Sequence, residues 1–469
     1  MKPISHSIKG NIMSHARMLL YTWCLLPMLA GAQSETKGLR KARRSVPSTS
    51  ENVGQPSRPN IVFILADDLG VGEVGAYGSD RNRTPVIDRM ARQGIRFTHG
   101  FTAPLCGPSR ALILTGRYAF RTGAVNQDMC GDLKPSKEVM IPTVLKKAGY
   151  VSSMTGKWGQ LPLQPSDFGF DDYLRFNGSG VYWSAEKRSA EYYTVNGSVQ
   201  KLGNRYMPDL MHEHAVEWIS KQQGKPFFLF YSLSHIHSRL QATPDSRPDG
   251  DAYAENIAYM DKLVGRLLDA LDSLGLRKNT LVVFMGDNGT AIGYARKATI
   301  GGRPLSGKKG DMLEGGGLVP LIASWPGVIA PEQVSHQLID ASDLLPTFAE
   351  VAGAPLPTTN TLDGRSFLPQ LKGRPGDPRE WVFCELGNKW YVRDARWKFN
   401  REGQLFDMRG APFEEILVPD VAQSPEAKAA RDRLQAVLAR LDPASGILDN
   451  GDGSGRHARK AGSGPAKED

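Results

Sequence analysis

Three unbroken apolar runs, each delivering acidic or polar residues at its end, most constrain what this chain can fold into. Ile61-Val62-Phe63-Ile64-Leu65 leads into Asp67-Asp68. Phe227-Phe228-Leu229-Phe230-Tyr231-Ser232-Leu233 ends in Ser234-His235-Ile236-His237, and Leu281-Val282-Val283-Phe284-Met285 ends in Asp287-Asn288-Gly289. Continuous β-branched and aromatic residues mark strands covered on both faces. Between them lie helical stripes: Met207, Leu210, Met211, His214, Ala215, Trp218 and Ile219, then Tyr253, Ile257, Met260, Leu263, Val264, Leu267 and Leu271. This alternation predicts an α/β fold, a large and mostly parallel mixed sheet with helices on both faces, over residues 59–368. Open sheets of this kind build their sites at the carboxyl ends of the strands, where these polar residues lie. His214, on a helical stripe, reads as a packed core-edge residue.

After Pro369 the texture changes. Trp381–Glu385, Lys389–Arg393, Trp397–Asn400 and Gln404–Asp407 are short strand-like pieces separated by turn residues, which predicts a smaller antiparallel C-terminal subdomain over 369–445. Ser424 is placed as the N-cap of a terminal helix that carries Leu434, Val437, Leu438 and Leu441. From 446 to 469 apolar residues nearly vanish, and the composition predicts a disordered tail.

Asp67, Asp68, Asp287 and Asn288 bring four oxygen donors from two separate strand ends, the type of cage that hard cations take. Calcium suits irregularly arranged carboxylates better than magnesium, because it tolerates longer bonds and less regular geometry. Alone, an Asp-Asp pair fits many loops and an Asn-Gly pair fits a tight turn.

Residues 104–116 read Pro-Leu-Cys-Gly-Pro-Ser-Arg-Ala-Leu-Ile-Leu-Thr-Gly. With its Cys106-Gly-Pro-Ser-Arg110 core, this stretch resembles the formylglycine-dependent sulfatases, a branch of the alkaline-phosphatase-like superfamily. The resemblance implies that a separate maturation enzyme oxidises Cys106 to formylglycine (3-oxoalanine), and that one hydroxyl of the hydrated aldehyde attacks sulfur. It also implies that Asp67, Asp68, Asp287, Asn288 and the modified Cys106 hold the metal ion. A helix beginning near Ser109 would set Cys106 at its amino end, where free N–H groups favour an anion. Arg110 would then turn toward the diol and the Asp ligands.

The resemblance extends further. Lys157, in Thr155-Gly156-Lys157-Trp158, and Lys309, before Leu313-Glu314-Gly315-Gly316, match the family's two lysines; Lys308 beside it reads as solvated. His235 matches a histidine that would protonate the leaving oxygen, although the family's flanking prolines are replaced here by Ser234 and His237. One position departs. Where the family places the histidine of Gly-Lys-Trp-His, this chain has Gly159, followed by Gln160. That histidine helps expel sulfate, so another base, His237 being nearest in sequence, must serve, or turnover is slow or lost.

The formal charge of +9 falls to +6 once residues 1–32, with three basic and no acidic groups, are set aside. Much of the remainder sits near the ends, in 37–44 and 456–460, so the charge does not argue for nucleic acid. Residues 1–32 read as a secretory signal, with Lys2, Lys9 and Arg17 before an apolar run and Ala30-Gly31-Ala32 as the cleavage site. A basic linker (33–58) follows. No run has the length of a membrane span, and a periplasmic or secreted protein is expected. Cys130 and Cys384 either pair or stay as separate thiols; spacing leaves both open.

Export points to a sulfated carbohydrate attacked at a chain end, with an aryl sulfate, or a phosphate or phosphonate ester, as alternatives. A glycan-binding protein without turnover is the non-enzymatic alternative. Tyr182, Trp183, Tyr192 and Tyr193, with Lys187, Arg188, Asn196 and Lys201, either contact sugar or pack an ordinary insertion.

Overall fold

A computed structural model describes residues 58–184, 191–222, 224–420, 424–451 and 455. The expected signal, all of the linker but Arg58, and Lys187 and Arg188 lie outside the described residues.

The first apolar run is the strand Asn60–Ala66, paired in parallel with Phe227–Ser232 on one side and Thr280–Gly286 on the other. Val151–Lys157 and Asp172–Phe176 extend the parallel set. Toward one edge, Leu318–Ser324 and Ile95–Phe101 add antiparallel pairings, and Gln333–Asp340 closes that edge. Tyr192–Val195 and Ser198–Lys201 form a hairpin at the other edge, giving ten strands in all.

Alternation of side chains explains why the runs are apolar throughout. Ile61, Phe63, Leu65, Phe228, Phe230 and Val283 pack against the helices Cys106–Thr115, Ile141–Lys146 and Leu344–Ala352. Val62, Ile64, Leu229, Tyr231, Val282 and Phe284 pack against Pro85–Arg92, Met207–Ser220 and Ala252–Ser273. Phe63 stacks on Phe230 at 5.5 Å and meets the edge of Phe348 at 5.8 Å. With both faces dry, the open ends are left for polar chemistry.

The smaller sheet is a five-stranded antiparallel meander from Val382–Leu386 to Ile416–Val418. Helix Pro425–Leu441 covers it, with Ser424 Oγ accepting from Ala427 N and Ala427, Ala430, Leu434 and Val437 packed on Val392, Trp397, Phe399 and Leu405. Cys130 and Cys384 are both buried free thiols, bonded to the carbonyls of Asn126 and Thr102. Of the expected disordered tail, residues 452–454 and 456–469 lie outside the described residues; at its start Ile447 N donates to Phe120 O, and Asp449 accepts from Asn126 Nδ2 and Gly451 N.

Glu385 is fully buried; one carboxylate oxygen accepts from Phe120 N and the other has no partner. Burial pushes its pKa up to about 8. A carboxyl raised above its unfolded value keeps its proton in the fold, so its stabilising effect is whole below about pH 4.5 and fades as pH rises through 8. Glu385→Gln is therefore expected to leave stability at pH 5 nearly unchanged and to raise it at pH 9 by roughly 1–3 kcal/mol. Urea denaturation at the two pH values measures this; an equal effect at both would contradict it.

Candidate active site

The strand ends are tied to one another before any side chain is counted. Asp287 N donates to Ala66 O, Asp67 N donates to His235 O, and Ile236 N donates to Asp67 O. Asp68 takes a left-handed backbone conformation (φ 60°), which turns the chain out of its strand. The helix Cys106–Thr115 starts at Cys106 itself, three residues earlier than expected, with Leu105 as N-cap. It is buried along its whole length.

Asp67, Cys106 and Asp287 converge there, with one ligand atom from each lying within 4.8 Å of the others. Asn288 Nδ2 donates to Asp68 Oδ1 and Gly289 O, while Asn288 Oδ1 is buried with no partner. A stranded carbonyl oxygen on the residue that follows Asp287, with its amide nitrogen on Asp68, fits a cation that takes oxygen donors. The Asp67, Cys106 and Asp287 atoms could therefore hold a metal ion.

Three cations answer the three carboxylates. Lys157 Nζ is 2.7 Å from both oxygens of Asp67, Lys309 Nζ is 2.7 Å from Asp68 Oδ1, and Arg110 Nη2 is 2.8 Å from Asp287 Oδ2. Arg110 also donates to Lys157 O and Ser232 Oγ. Burial opposes the charge on Asp68, yet Lys309, His237 and Lys157 outweigh it and hold the carboxyl below the usual range. Asp287 moves the other way, up to about 6, because burial and the Asp67 charge outweigh Arg110. Burial also works against the charge on Lys309, and Asp68 more than offsets it. Side chains alone sum to zero charge, so a divalent ion leaves an excess that suits an anionic ester.

The two histidines divide differently from expectation. His235 is fully buried among Tyr182, Tyr206 and Tyr259, with Nε2 3.0 Å from Tyr206 Oη and Nδ1 without a partner. Burial pulls its pKa down to about 3. His237 is partly exposed, with Nε2 3.9 Å from Asp68 Oδ2. Its pKa falls to about 4, through burial against the pull of Asp68. Thus His237 reaches the carboxylate and lysine cluster with its ring, whereas His235 serves it through its backbone.

Gly159 has φ 75°, and a Cβ there would stand 3.2 Å from Arg110 Cδ. The residue that comes to Cys106 is Gln160, with Oε1 3.9 Å from Sγ, joined by Gln127, whose Nε2 is 3.2 Å from Sγ. Ser232, Gln127, Glu73 and Thr290 carry no sequence signal of a site. Glu73 nevertheless accepts from Gly70 N and Thr290 Oγ1, tying together the loops that follow Asp68 and Asn288. Lys308 pairs with Asp311, and His214 bonds Thr155 and Asp172 at the edge of the core.

Of the four aromatics in the insertion, Tyr182 is buried, Trp183 and Tyr193 are half-buried and Tyr192 is exposed. Tyr182 is buried and donates to the carbonyls of Ser234 and His237; Trp183 Nε1 donates to Ala242 O. Asn196 holds a turn through Tyr173 N and Asp172, and Lys201 pairs with Glu191. Tyr182 thus supports the scaffold from inside, and Asn196, exposed, holds a turn. Tyr192 stays exposed on the edge hairpin.

Residues 59–354 match the Sulfatase family model. The chain belongs to the sulfatase family. It is 35% identical over 352 residues to the rat N-acetylgalactosamine-6-sulfatase, covering 68% of this chain and 66% of that protein. It thus spans about two thirds of that relative's length. To human arylsulfatase A it is 33% identical over 463 residues, covering 82% and 89%. Among solved structures, Ps i-CgsB in complex with k-i-k-neocarrahexaose superposes with a TM-score of 0.73 at 28% identity, over 84% of this chain and 96% of that one.

A cation bound by Asp67, Asp68, Asp287, Asn288 and residue 106 of this sulfatase would stabilise the fold by mass action. A free ion at a hundred times its Kd is expected to add about 2.7 kcal/mol. Asn288→Ala removes the unpartnered oxygen and should cut that gain by roughly half or more. Thermal unfolding with chelator and with added calcium measures both; an identical shift in the variant would contradict the assignment of Asn288.

Proposed function

We propose that this sulfatase hydrolyses a sulfate monoester on a carbohydrate, attacking a terminal or short-chain sugar, after export to the periplasm or the exterior. The observation that carries the reading is the convergence of Asp67, Cys106 and Asp287, with buried Arg110 and Lys157 and half-buried Lys309 paired to the carboxylates. Oxidation of Cys106 to formylglycine would supply a hydrated aldehyde whose hydroxyl is the nucleophile toward sulfur. Asp67, Asp68, Asp287 and Asn288 would hold a calcium ion, in preference to magnesium, which polarises a sulfate oxygen when bound.

The chain's own groups account for the rest. Lys157 and Lys309 offset charge that builds on the sulfate oxygens and the leaving group. Arg110, fixed by Asp287, Ser232 and the Lys157 carbonyl, holds its positive charge beside residue 106. His237, partly exposed and neutral at pH 7, is the imidazole positioned to exchange a proton with the leaving oxygen; this role falls to it in place of His235. Cys106 is 1% exposed in the fold, so a maturation enzyme would have to act before the chain closes over it.

The carbohydrate assignment is supported by the relatives, N-acetylgalactosamine-6-sulfatases among them, and by the k-i-k-neocarrahexaose bound to the similar Ps i-CgsB. Arylsulfatase A, matched over more of its length, favours a small aryl ester as the second reading. Among the described residues no helix is long and apolar enough to cross a membrane.

Released sulfate is to be followed over a panel of defined sulfated mono- and oligosaccharides beside an aryl sulfate. At least one glycan is expected to exceed the aryl ester in kcat/KM, and Cys106→Ala to lower turnover by about a thousandfold or more. An aryl ester faster than every glycan by orders of magnitude would overturn the carbohydrate reading. Tight binding of glycan with no release would overturn the enzymatic one.

A further inference from the structure

Two amide side chains touch residue 106, and neither belongs to the metal cluster. Gln127 Oε1 accepts from Gly107 N at 2.8 Å, and its Nε2 lies 3.2 Å from Cys106 Sγ. A backbone N–H can only donate, so it fixes the polarity of this amide: oxygen toward Gly107, nitrogen toward residue 106. A Cβ on Gly107 would fall 2.4 Å from Gln127 Oε1, so glycine is what lets the amide come this close. The loop beneath is tied down as well: Asn126 O accepts from Cys130 Sγ, and Asn126 Nδ2 donates to Asp449.

Gln160 approaches the same sulfur with its oxygen, at 3.9 Å. It lies in a turn that Trp158 closes by donating from Nε1 to Pro162 O. Residue 106 is thus met by one donor and one acceptor. A hydroxyl group uses both; an aldehyde oxygen can only accept. Neither amide takes up a proton near neutral pH, so the pair can orient a group but cannot act as its base.

We propose that Gln127 and Gln160 are positioning residues that hold one hydroxyl of hydrated residue 106, Gln127 donating to its oxygen and Gln160 accepting its hydrogen. This rests on the sulfate-ester reading above. Hydration adds one water across the carbonyl: its oxygen bonds to carbon, one proton goes to the former carbonyl oxygen, and no electrons are exchanged with a cofactor. Of the two forms of residue 106 only the hydrate can donate to Gln160, so Gln160 shifts residue 106 from aldehyde toward diol, and the two amides together aim the diol.

The test uses the full chain after maturation, with the carbonyl at 106 confirmed by peptide mass in each preparation. A hydrazide probe, which captures the free aldehyde and not the diol, is reacted without substrate. Gln160 is half-buried in a surface turn, so Gln160→Leu is expected to keep the thermal midpoint of the wild type. It should label about fivefold faster and lose about tenfold in kcat, with inhibition by inorganic sulfate changed by less than about twofold. Gln160→Glu keeps an acceptor and should label at the wild-type rate. Gln127 donates to either form, so Gln127→Leu should lose about tenfold in kcat with labelling within about twofold of the wild-type rate. Equal labelling of Gln160→Leu and wild type, or equally fast labelling of Gln160→Leu and Gln160→Glu, overturns the proposal while leaving sulfate-ester hydrolysis standing. A thiol at 106 in protein that turns over substrate overturns that underlying reading and the proposal with it.

Discussion

Three carboxylates packed into one water-poor volume are the constraint on which the rest of this structure depends. Asp67, Asp68 and Asp287 are all fully buried, and isolated charges in that setting would be strongly disfavoured. Each is met by one cation from a different element: Lys157 at the end of its strand, Arg110 from the first turns of a buried helix, and Lys309 from a loop. Removing any one cation leaves a buried charge uncompensated, a change that typically costs about 3–5 kcal/mol. The polar site and the apolar sheet beneath it therefore stand or fall together.

The scaffold meets this demand by geometry. Parallel strands bring their carboxyl ends to one edge, and the backbone bonds among Ala66, Asp67, His235 and Asp287 lock the relative heights of three strands. The helix bearing Cys106 packs on one sheet face through Ala111, Leu112, Ile113 and Leu114, which brings its amino end to that same edge. The smaller subdomain contributes from behind. Arg393 pairs with Glu314, and Lys398 bonds Met312 O and Glu415, so the segment that follows Lys309 is held by the C-terminal sheet.

Much of this was legible in the sequence because its signals are local. A strand covered on both faces announces itself as an unbroken apolar run, and its terminal Asp67-Asp68 or Asp287-Asn288 comes with it. Cys106 and Arg110 share one turn of helix, so a short motif carries both. What stayed illegible depends on long-range approach. Gln127 and Gln160 are ordinary polar residues until the fold sets them against one sulfur. Nothing in the sequence separates His235, enclosed by tyrosines from three segments, from His237 two residues on. Tyr182 shows the same limit: an aromatic in a Gly- and Ser-rich stretch suits sugar stacking, but here its hydroxyl closes the loop that presents His237. Asp449 pins a segment whose composition alone would leave it loose.

The central proposal is chemical: residue 106 is made as a cysteine, beside Asp67 and Asp287, and would act as a hydrated aldehyde. Mass spectrometry of the peptide containing residue 106, taken from protein whose sulfate release per chain has been counted, tests it most directly. The account predicts that the fraction of chains carrying the carbonyl equals the fraction that turn over. Full activity in protein whose residue 106 remains a thiol would contradict it.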